Sequence, residues 1–508
     1  MAKPRRCLWA LDNVEGLLRL ESESVGLAYL DPPFNSGRSY GAVLSTTRTA
    51  GKEMRHAFAD NWRWTEDTQR TLRGLGEFLS RPAVELVTSL ANTLGPSPAS
   101  AYLVEMAPRL AESHRVLRRD GSLYLHCDPA ASHYLKILLD HIFGVENFRS
   151  EIVWKRTHAH SNSRRYGPVH DTLLFYSKTS DYVWNPVFAQ YQDSYLEKHF
   201  RHSDERGSYQ LITCTAPGDR QGTRAHYEWK GLLPPPGRHW AWKREQMESF
   251  ERAGRLVHSS TGIPRFKRYS HEGRGVPVQD VWLDINRLDS HSRERTGFET
   301  QKPVALLERI IAASSNPGDL VLDPFAGSGT TAVAAERLDR RWVAMDSSLM
   351  ACAITLARVR QEVNLATVDL EGFPVDTSDA RRLLREEPAA FGIWGTSMLG
   401  SIPDREGTNP TVVVGAGNLS ARSRRVEILS WVPIRGRLEM AVPETGRGRL
   451  SKLGVILRHS RSAEEAQRWL SRRISIPTHV VNLEHLVDAG ANKTGLSSRL
   501  PGLLRRAS

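Results

Sequence analysis

The sequence predicts an α/β protein built on a doubly wound, largely parallel sheet. Three observations carry this prediction. Two apolar, β-prone runs end abruptly in loop-forming residues: 25–30 runs into Asp31-Pro32-Pro33-Phe34, and 320–322 runs into Asp323-Pro324-Phe325-Ala326-Gly327-Ser328-Gly329-Thr330-Thr331. Segments with helical apolar spacing separate these and other short strands. The second run is followed by a glycine-rich turn and then directly by a helix-forming stretch.

The elements follow in order. Residues 1–24 contain a short amphipathic stretch leading into the first strand, and 41–80 read as loop-rich. Residues 83–94 and 102–117 have helical spacing; Pro82 suits a first helical turn, and Pro108 predicts a kink or break. A turn at 119–121 opens a strand over 121–127, and 134–143 reads as a helix stopped by Gly144. Strands are expected at 152–154 and 172–176. Residues 180–290 then break the rhythm with Gly, Pro, aromatic and basic residues and no long helical period. The rhythm returns at 303–365, with helices over 304–313 and 331–338 and a strand from 341 ending at Asp346.

The chain of 508 residues has room for two or three domains and a large core. No apolar run approaches the ~18–20 residues of a membrane span, and the basic N-terminus lacks the apolar stretch of a signal peptide. A cytoplasmic protein is expected. Cys7, Cys127, Cys214 and Cys352 are far apart with no C-x-x-C pair, so neither a zinc site nor a disulfide framework is expected. His158-Ala159-His160 lacks the H-E-x-x-H pattern, and no catalytic metal is expected.

The net charge of +12 and pI near 9.6 suit nucleic-acid binding without identifying the polymer. The surplus is concentrated in two places. Residues 201–270 are net positive by roughly six charges, with Trp229, Trp240 and Trp242 among the cations; this reads as a nucleic-acid surface, against a small satellite core under a solvated basic face. Residues 401–508 carry roughly nine net positive charges and read as a separate domain.

The glycine-rich turn reads as a ligand loop. Gly327 and Gly329 permit close backbone approach, and Asp346 ends the next strand about twenty residues on, where an acid can bind ribose hydroxyls. No Gly-Lys-Ser/Thr follows, which excludes a P-loop, and the third glycine of a dinucleotide-binding turn is missing. Asp323 at the strand tip is awkward beside pyrophosphate but suits a cationic ligand end, such as the α-ammonium of S-adenosyl-L-methionine.

The first loop reads as an amino-group site. An exocyclic amine on a base is a poor nucleophile because its lone pair is delocalised. Asp31 can accept one N–H and the Pro32 carbonyl the other, with both prolines stiffening the loop. Phe34 offers a face for a flipped-out base. Taken alone, Asp-Pro-Pro is more often a strand-ending turn.

With both loops in this order, the chain resembles the bacterial DNA amino-methyltransferases of the β arrangement, close to type III modification subunits. In that group the Asp-Pro-Pro-Tyr/Phe loop comes first, target recognition lies in the middle and the cofactor loop comes last. The resemblance covers most of 1–395, including Asp31–Gly37, His114–Leu117, Gly121–Asp128, Asn147–Arg156, His170–Lys178, Gly237–Trp240, Asp280–Trp282, Glu294–Phe298 and Thr300–Pro303.

It implies a Rossmann-like S-adenosylmethionine-dependent methyltransferase sheet with an inserted target-recognition region and a C-terminal accessory domain. The implied boundaries are 1–179 and 291–365 for the two catalytic parts, 180–290 for recognition, 366–400 for a linker and 401–508 for the basic domain. Asp31, Pro32, Pro33 and Phe34 would form the catalytic loop. Asp323, Phe325, Gly327, Gly329 and Thr330 would line the cofactor pocket, with Asp346 on the ribose and Thr300, Gln301 and Lys302 near the methionine end. Phe34 stands where the family often has tyrosine, which keeps stacking and loses a hydroxyl.

The implied activity is methyl transfer to the N6 amino group of adenine in double-stranded DNA, in restriction-modification or phage defence. Aspartate at 31 favours adenine; N4-cytosine transfer and a silent DNA-binding specificity subunit are the alternatives. A partner restriction endonuclease subunit and a homodimer are both compatible with the resemblance. Residues 366–395 resemble the linker of relatives with a nuclease-like C-terminal domain. Asp404 and the run at Glu427 are present, but the Glu-x-Lys lysine is absent, so a degenerate α/β domain that holds DNA is the expectation.

Overall fold

The computed structural model describes residues 6–33, 39–42, 55–59, 62–157, 166–218, 220–289, 292, 294–296, 298, 300–362, 368–386, 391 and 394, together with the backbone of five strands within 401–508. Two compact units emerge, residues 186–279 and the remainder, Met1–Asn185 with Asp280–Ser508.

The larger unit is organised by a nine-stranded sheet. In chain order its strands are β1 (Arg6–Ala10), β2 (Val25–Leu30), β3 (Leu117–Cys127), β4 (Phe148–Lys155), β5 (His170–Ser177), β6 (Val281–Trp282), β7 (Leu320–Asp323), β8 (Arg341–Asp346) and β9 (Asp369–Glu371). Their order across the sheet is β6-β4-β5-β3-β2-β7-β8-β1-β9. All neighbours run parallel except β5, which is antiparallel to both β3 and β4. The central strands β2, β3 and β7 are buried through nearly their whole length, which is why they read as continuous apolar runs rather than alternating ones.

The chain order matters most at the centre. β2 and β7 are adjacent, with Val321 opposite Leu27 and Leu322 opposite Ala28. Parallel pairing therefore brings Asp31 and the Asp323 loop to the same edge of the sheet, although 271 residues separate even Asp31 from Lys302. Ligands in open α/β sheets bind at this edge, the carboxyl ends of the strands.

Several elements depart from the sequence reading. Residues 1–24 hold β1 as well as the helix Asn13–Arg19, capped by Asp12 accepting from the Val14 amide. The stretch 41–80 contains strand Arg55–Ala59, paired antiparallel with Ser39–Ala42, and helix Glu66–Gly74. Pro108 does not break its helix, which runs unbroken over Pro98–Val116. A proline costs a helix interior about 3 kcal/mol, but Leu103, Ala107 and Leu110 bury that helix against the core, and a Ser97/Ser100 capping box closes its start.

The smaller unit carries a four-stranded antiparallel sheet, with Gly207–Thr213 and Pro264–Tyr269 at its centre. Trp229 and Trp240 are buried around Cys214 and Met247, so these tryptophans form a satellite core rather than a stacking surface. The cations around them do face solvent: Arg220, Arg224, Lys230, Lys243, Arg244 and Arg268 are exposed.

Within 401–508 five strands form one sheet in chain order. Ser401–Pro403, Val412–Gly417 and Arg424–Ser430 pair antiparallel; Lys452–Leu457 and Thr478–Asn482 continue it in parallel. Glu427 lies on the third strand, and Asp404 falls outside the described residues. No helix among the described residues is long and apolar enough to cross a membrane.

Candidate active site

A cavity of about 580 Å³ opens at the carboxyl edge of the sheet, and Asp31, Asp323, Gly327, Thr330, Lys302 and Asp346 all line it. Pro32, Pro33, Phe325, Thr300 and Gln301 line it as well. Gly329 lies just behind, at the start of helix Thr330–Arg337. Phe34 falls outside the described residues, as does His158-Ala159-His160.

The glycine loop is shaped by its backbone. Gly327 and Gly329 have φ of +51° and +77°, the left-handed region that glycine occupies without penalty. A Cβ at Gly329 would lie 2.6 Å from Cγ2 of Thr355, and one at Gly327 would lie 3.3 Å from the Phe298 ring. The loop is fastened from behind: Thr355 Oγ1 donates to the Gly327 carbonyl at 3.0 Å, and the fully buried Arg358 donates to Thr330 Oγ1 at 3.0 Å while pairing with Glu362.

Asp323 and Asp346 are the acids of this half. Asp323 is 3% exposed; it accepts from Thr331 Oγ1 at 2.5 Å and from the Phe325 amide at 2.9 Å. Burial, helped by the nearby Asp31 and Asp346 charges, pushes its carboxyl up to about 7 against those two hydrogen bonds. Asp346 accepts from the Gly327 amide at 2.9 Å and the Ser348 amide at 2.8 Å, and burial pushes it up to about 6. Asp323 is buried and Asp346 half-buried, so each would be relieved by a ligand that brings positive charge or hydroxyl donors.

The other half of the cavity is organised around Asp31. Lys302 Nζ lies 2.5 Å from Asp31 Oδ2, and His126 Nδ1 lies 3.9 Å from Oδ1. His126 is fully buried between Tyr29, whose hydroxyl is 2.8 Å from Nδ1, and Asp171, whose Oδ2 is 3.2 Å from Nε2. These residues come from β2, β3 and β5, three neighbouring strands. Burial opposes ionisation of Asp171, yet the His126 hydrogen bond and the His126, Lys302 and Arg156 charges hold it below the usual carboxylate range. Burial and the surrounding carboxylates raise Tyr29 well above its ordinary value, so it remains a neutral hydroxyl.

Two aromatics frame this half. Trp62 donates its indole N–H to the Pro33 carbonyl at 3.2 Å, and Trp154 stands edge-on to His126. Asn13 ties the Asp323 loop to helix Pro98–Val116 by donating to the Pro324 carbonyl while accepting from Arg109.

The structure thus brings together the described residues singled out from the two loops and the 300–302 segment. One placement is unexpected: Lys302 reaches Asp31, while its own carbonyl accepts from Thr330 Oγ1 at 3.1 Å. Gln301 instead braces its own loop, accepting from the Thr296 amide and donating to the Glu294 carbonyl. Tyr29, His126, Asp171, Trp154, Thr355 and Arg358 were not singled out. Nothing in their spacing marks them, because each contributes through a neighbour on another strand or helix.

A nearly parallel sheet with one reversed strand, a glycine loop at its carboxyl edge and a carboxylate loop beside it define a Rossmann-like S-adenosylmethionine-dependent methyltransferase. The chain belongs to the N6/N4 DNA methylase family, whose model, described as a DNA methylase, matches residues 25–357. It is 32% identical over 358 residues to the type II methyltransferase M.EcaI of Enterobacter cloacae, covering 70% of this chain and 69% of that one. It is 27% identical to the StyLTI Mod subunit, a type III restriction-modification enzyme of Salmonella typhimurium, over 65% of this chain and 49% of that one. The DNA adenine methyltransferase YhdJ of Escherichia coli is 24% identical over 66% of this chain and 76% of its own. Among solved structures, the cytosine-N4-specific PvuII DNA methyltransferase aligns at 13% identity and a TM-score of 0.34, over 70% of this chain and 88% of that one.

The methyl donor is S-adenosylmethionine, and the cavity fits it. The glycine loop lines it through Phe325, Gly327 and Thr330, and it holds a buried acid, Asp323, and a half-buried one, Asp346, suited to an ammonium and to ribose hydroxyls.

Proposed function

We propose that the protein methylates the N6 amino group of adenine within a specific sequence of double-stranded DNA. The observation that carries this reading is the meeting of Asp31 and the Asp323–Thr330 loop in one cavity, at the tips of adjacent parallel strands. Bound S-adenosylmethionine supplies an electrophilic methyl group on a sulfonium. In our reading Gly327, Gly329, Phe325 and Thr330 shape its seat, Asp323 faces its ammonium and Asp346 its ribose, and Thr300 and Gln301 close the methionine end.

The target base turns out of the duplex into the half of the cavity that holds Asp31. Asp31 accepts one N–H of the amino group and the Pro32 carbonyl the other, while Pro33 stiffens the loop and Phe34 stacks on the ring. Drawing both N–H bonds to fixed acceptors returns lone-pair density to nitrogen. With the donor bound, Asp31 and the Pro32 carbonyl would hold the nitrogen toward the methyl group, and Asp31 would take up the proton that the nitrogen loses on transfer. Lys302 holds the other carboxylate oxygen in place.

Adenine is favoured by aspartate at the head of the loop, and the adenine specificity named for YhdJ agrees with it. The basic unit 186–279 reads the target sequence, and the basic sheet within 401–508 adds phosphate contacts. The likeness to a type III Mod subunit supports a restriction-modification role with a nuclease partner subunit, which co-purification from the native host tests.

Expression in a methylation-free host, followed by single-molecule sequencing of its DNA, tests the function. The expected result is N6-methyladenine at one recurring sequence. N4-methylcytosine there would move the assignment to cytosine, and unmodified DNA would favour a silent specificity subunit.

A further inference from the structure

Five cationic side chains line the Asp31 cavity, and they fall into two groups. Three are neutralised: Lys302 by Asp31, Arg156 by Asp171, and Arg109 by Asp12 and Glu105. The other two, Arg287 and Arg295, have side chains with no ion-pair or hydrogen-bond partner among the described residues.

Neither arginine sits on an unanchored stretch. Ahead of Arg287, the Ile285 carbonyl accepts the Trp154 indole N–H at 2.8 Å, and Asp284 pairs with Arg309. Around Arg295, the Thr296 amide and the Glu294 carbonyl are both held by the Gln301 side chain, and its own amide donates to the Ser292 carbonyl at 3.1 Å. Arg295 is half-buried and Arg287 exposed. A half-buried guanidinium without a partner carries a desolvation cost that a bound anion offsets. A half-buried and an exposed guanidinium, both without a charge partner among the described residues and both lining one cavity, form a prepared anion site.

We propose that Arg287 and Arg295 hold the backbone phosphates flanking the target nucleotide once its base enters the cavity. This rests on the reading of the protein as a DNA methyltransferase. A flipped nucleotide stays tethered through its two phosphates at the rim while its base goes inward, so cations are needed at the mouth and not at the floor. The arginines would hold the everted state, and with it the geometry at Asp31, without reading sequence.

The test uses the full-length protein and a duplex carrying the mapped site. DNA affinity is measured across salt concentrations for wild type, Arg287→Gln, Arg295→Gln and the double variant, with S-adenosylmethionine affinity measured in parallel. Each lost phosphate contact should reduce the log–log salt slope by roughly 0.9, so the double variant should lose about 1.8. Cofactor affinity should be unchanged, which also shows that the variant is folded. Arg→Lys at both positions should largely restore the slope, since lysine serves a phosphate as a point charge.

A second arm locates the contact. Neutral methylphosphonates on either side of the target base should weaken wild-type binding but add little to the double variant. An unchanged slope, or an undiminished methylphosphonate penalty in the double variant, would overturn the proposal. So would a loss of cofactor affinity with the slope intact, which would give the arginines to the cofactor carboxylate. Wild-type protein that shows the phosphate penalty but transfers no methyl would keep this assignment and sink the catalytic reading.

Discussion

Alanine at Gly329 gives a quantitative test of the cofactor seat proposed for the glycine loop. The residue sits at φ +77° and ψ 24°, directly before helix Thr330–Arg337. A side chain in that left-handed conformation costs roughly 1–2 kcal/mol. The new methyl would also lie 2.6 Å from Cγ2 and 2.8 Å from Oγ1 of Thr355, inside van der Waals contact. Thr355 cannot simply turn away, because its hydroxyl is bonded to the Gly327 carbonyl. Overpacking of this kind costs about 1–3 kcal/mol. The sum is about 2–5 kcal/mol against the loop shape that the cofactor needs, equivalent to a roughly 30-fold to several-thousand-fold weaker Kd. Gly327→Ala should be milder, because its methyl would meet only the Phe298 ring at 3.3 Å. Gly74→Ala, which meets nothing within 4 Å, is the control. Isothermal titration with S-adenosylmethionine, with circular dichroism to confirm folding, reads all three. Equal affinities for Gly329→Ala and wild type, or a larger loss at Gly327 than at Gly329, would refute the reasoning.

Three further outcomes are expected. Asp323 and Asp346 are raised by burial to about 7 and about 6, so the empty protein draws stability from them below pH ~4 and loses it as pH rises through 6–7. A ligand that favours their ionised forms should therefore bind more tightly from pH 5 to pH 8 with release of protons, and Asp323→Asn should flatten that rise; titration in buffers of different ionisation enthalpy measures both. Ending the chain at residue 395 should weaken DNA binding and its salt dependence while leaving the methylated sequence unchanged, and an altered sequence would contradict the roles given to 186–279 and 401–508. Replacing 186–279 with the corresponding unit of a relative of different specificity should transfer that relative's methylated sequence, as mapped by sequencing; retention of the original would place recognition elsewhere.

Much of the catalytic frame is legible in the sequence because the sheet centre is buried on both faces. Val25–Leu30 and Leu320–Asp323 appear as unbroken apolar runs, and the loops they lead into are marked by proline and glycine. Strand order is not legible. Apolar runs of similar composition do not say which neighbours which, so the adjacency of β2 and β7, on which the site depends, is visible only in the fold. The reversal of β5 is hidden for the same reason. The short β1 was missed because Arg6–Ala10 offers only five residues with a charge at one end. Pro108 misled because local propensity was outweighed by the buried face of its helix. Trp229 and Trp240 close a small core, the alternative that the sequence leaves open because aromatic residues among cations suit a nucleic-acid surface and a core alike. The Lys302–Asp31 pair and the Tyr29–His126–Asp171 chain leave no periodic trace, since each joins residues far apart along the chain.

The central claim is that Asp31 receives the target amino group and is separate from the cofactor seat. The direct measurement is single-turnover transfer of tritiated methyl from S-adenosylmethionine to a duplex carrying the mapped site, with cofactor affinity determined on the same preparations of wild type and Asp31→Ala. Removing one fixed acceptor costs ~10²–10³ in rate where such groups have been measured, so the variant should lose at least that factor while binding the cofactor within a few-fold of wild type. Undiminished transfer by Asp31→Ala would contradict the account.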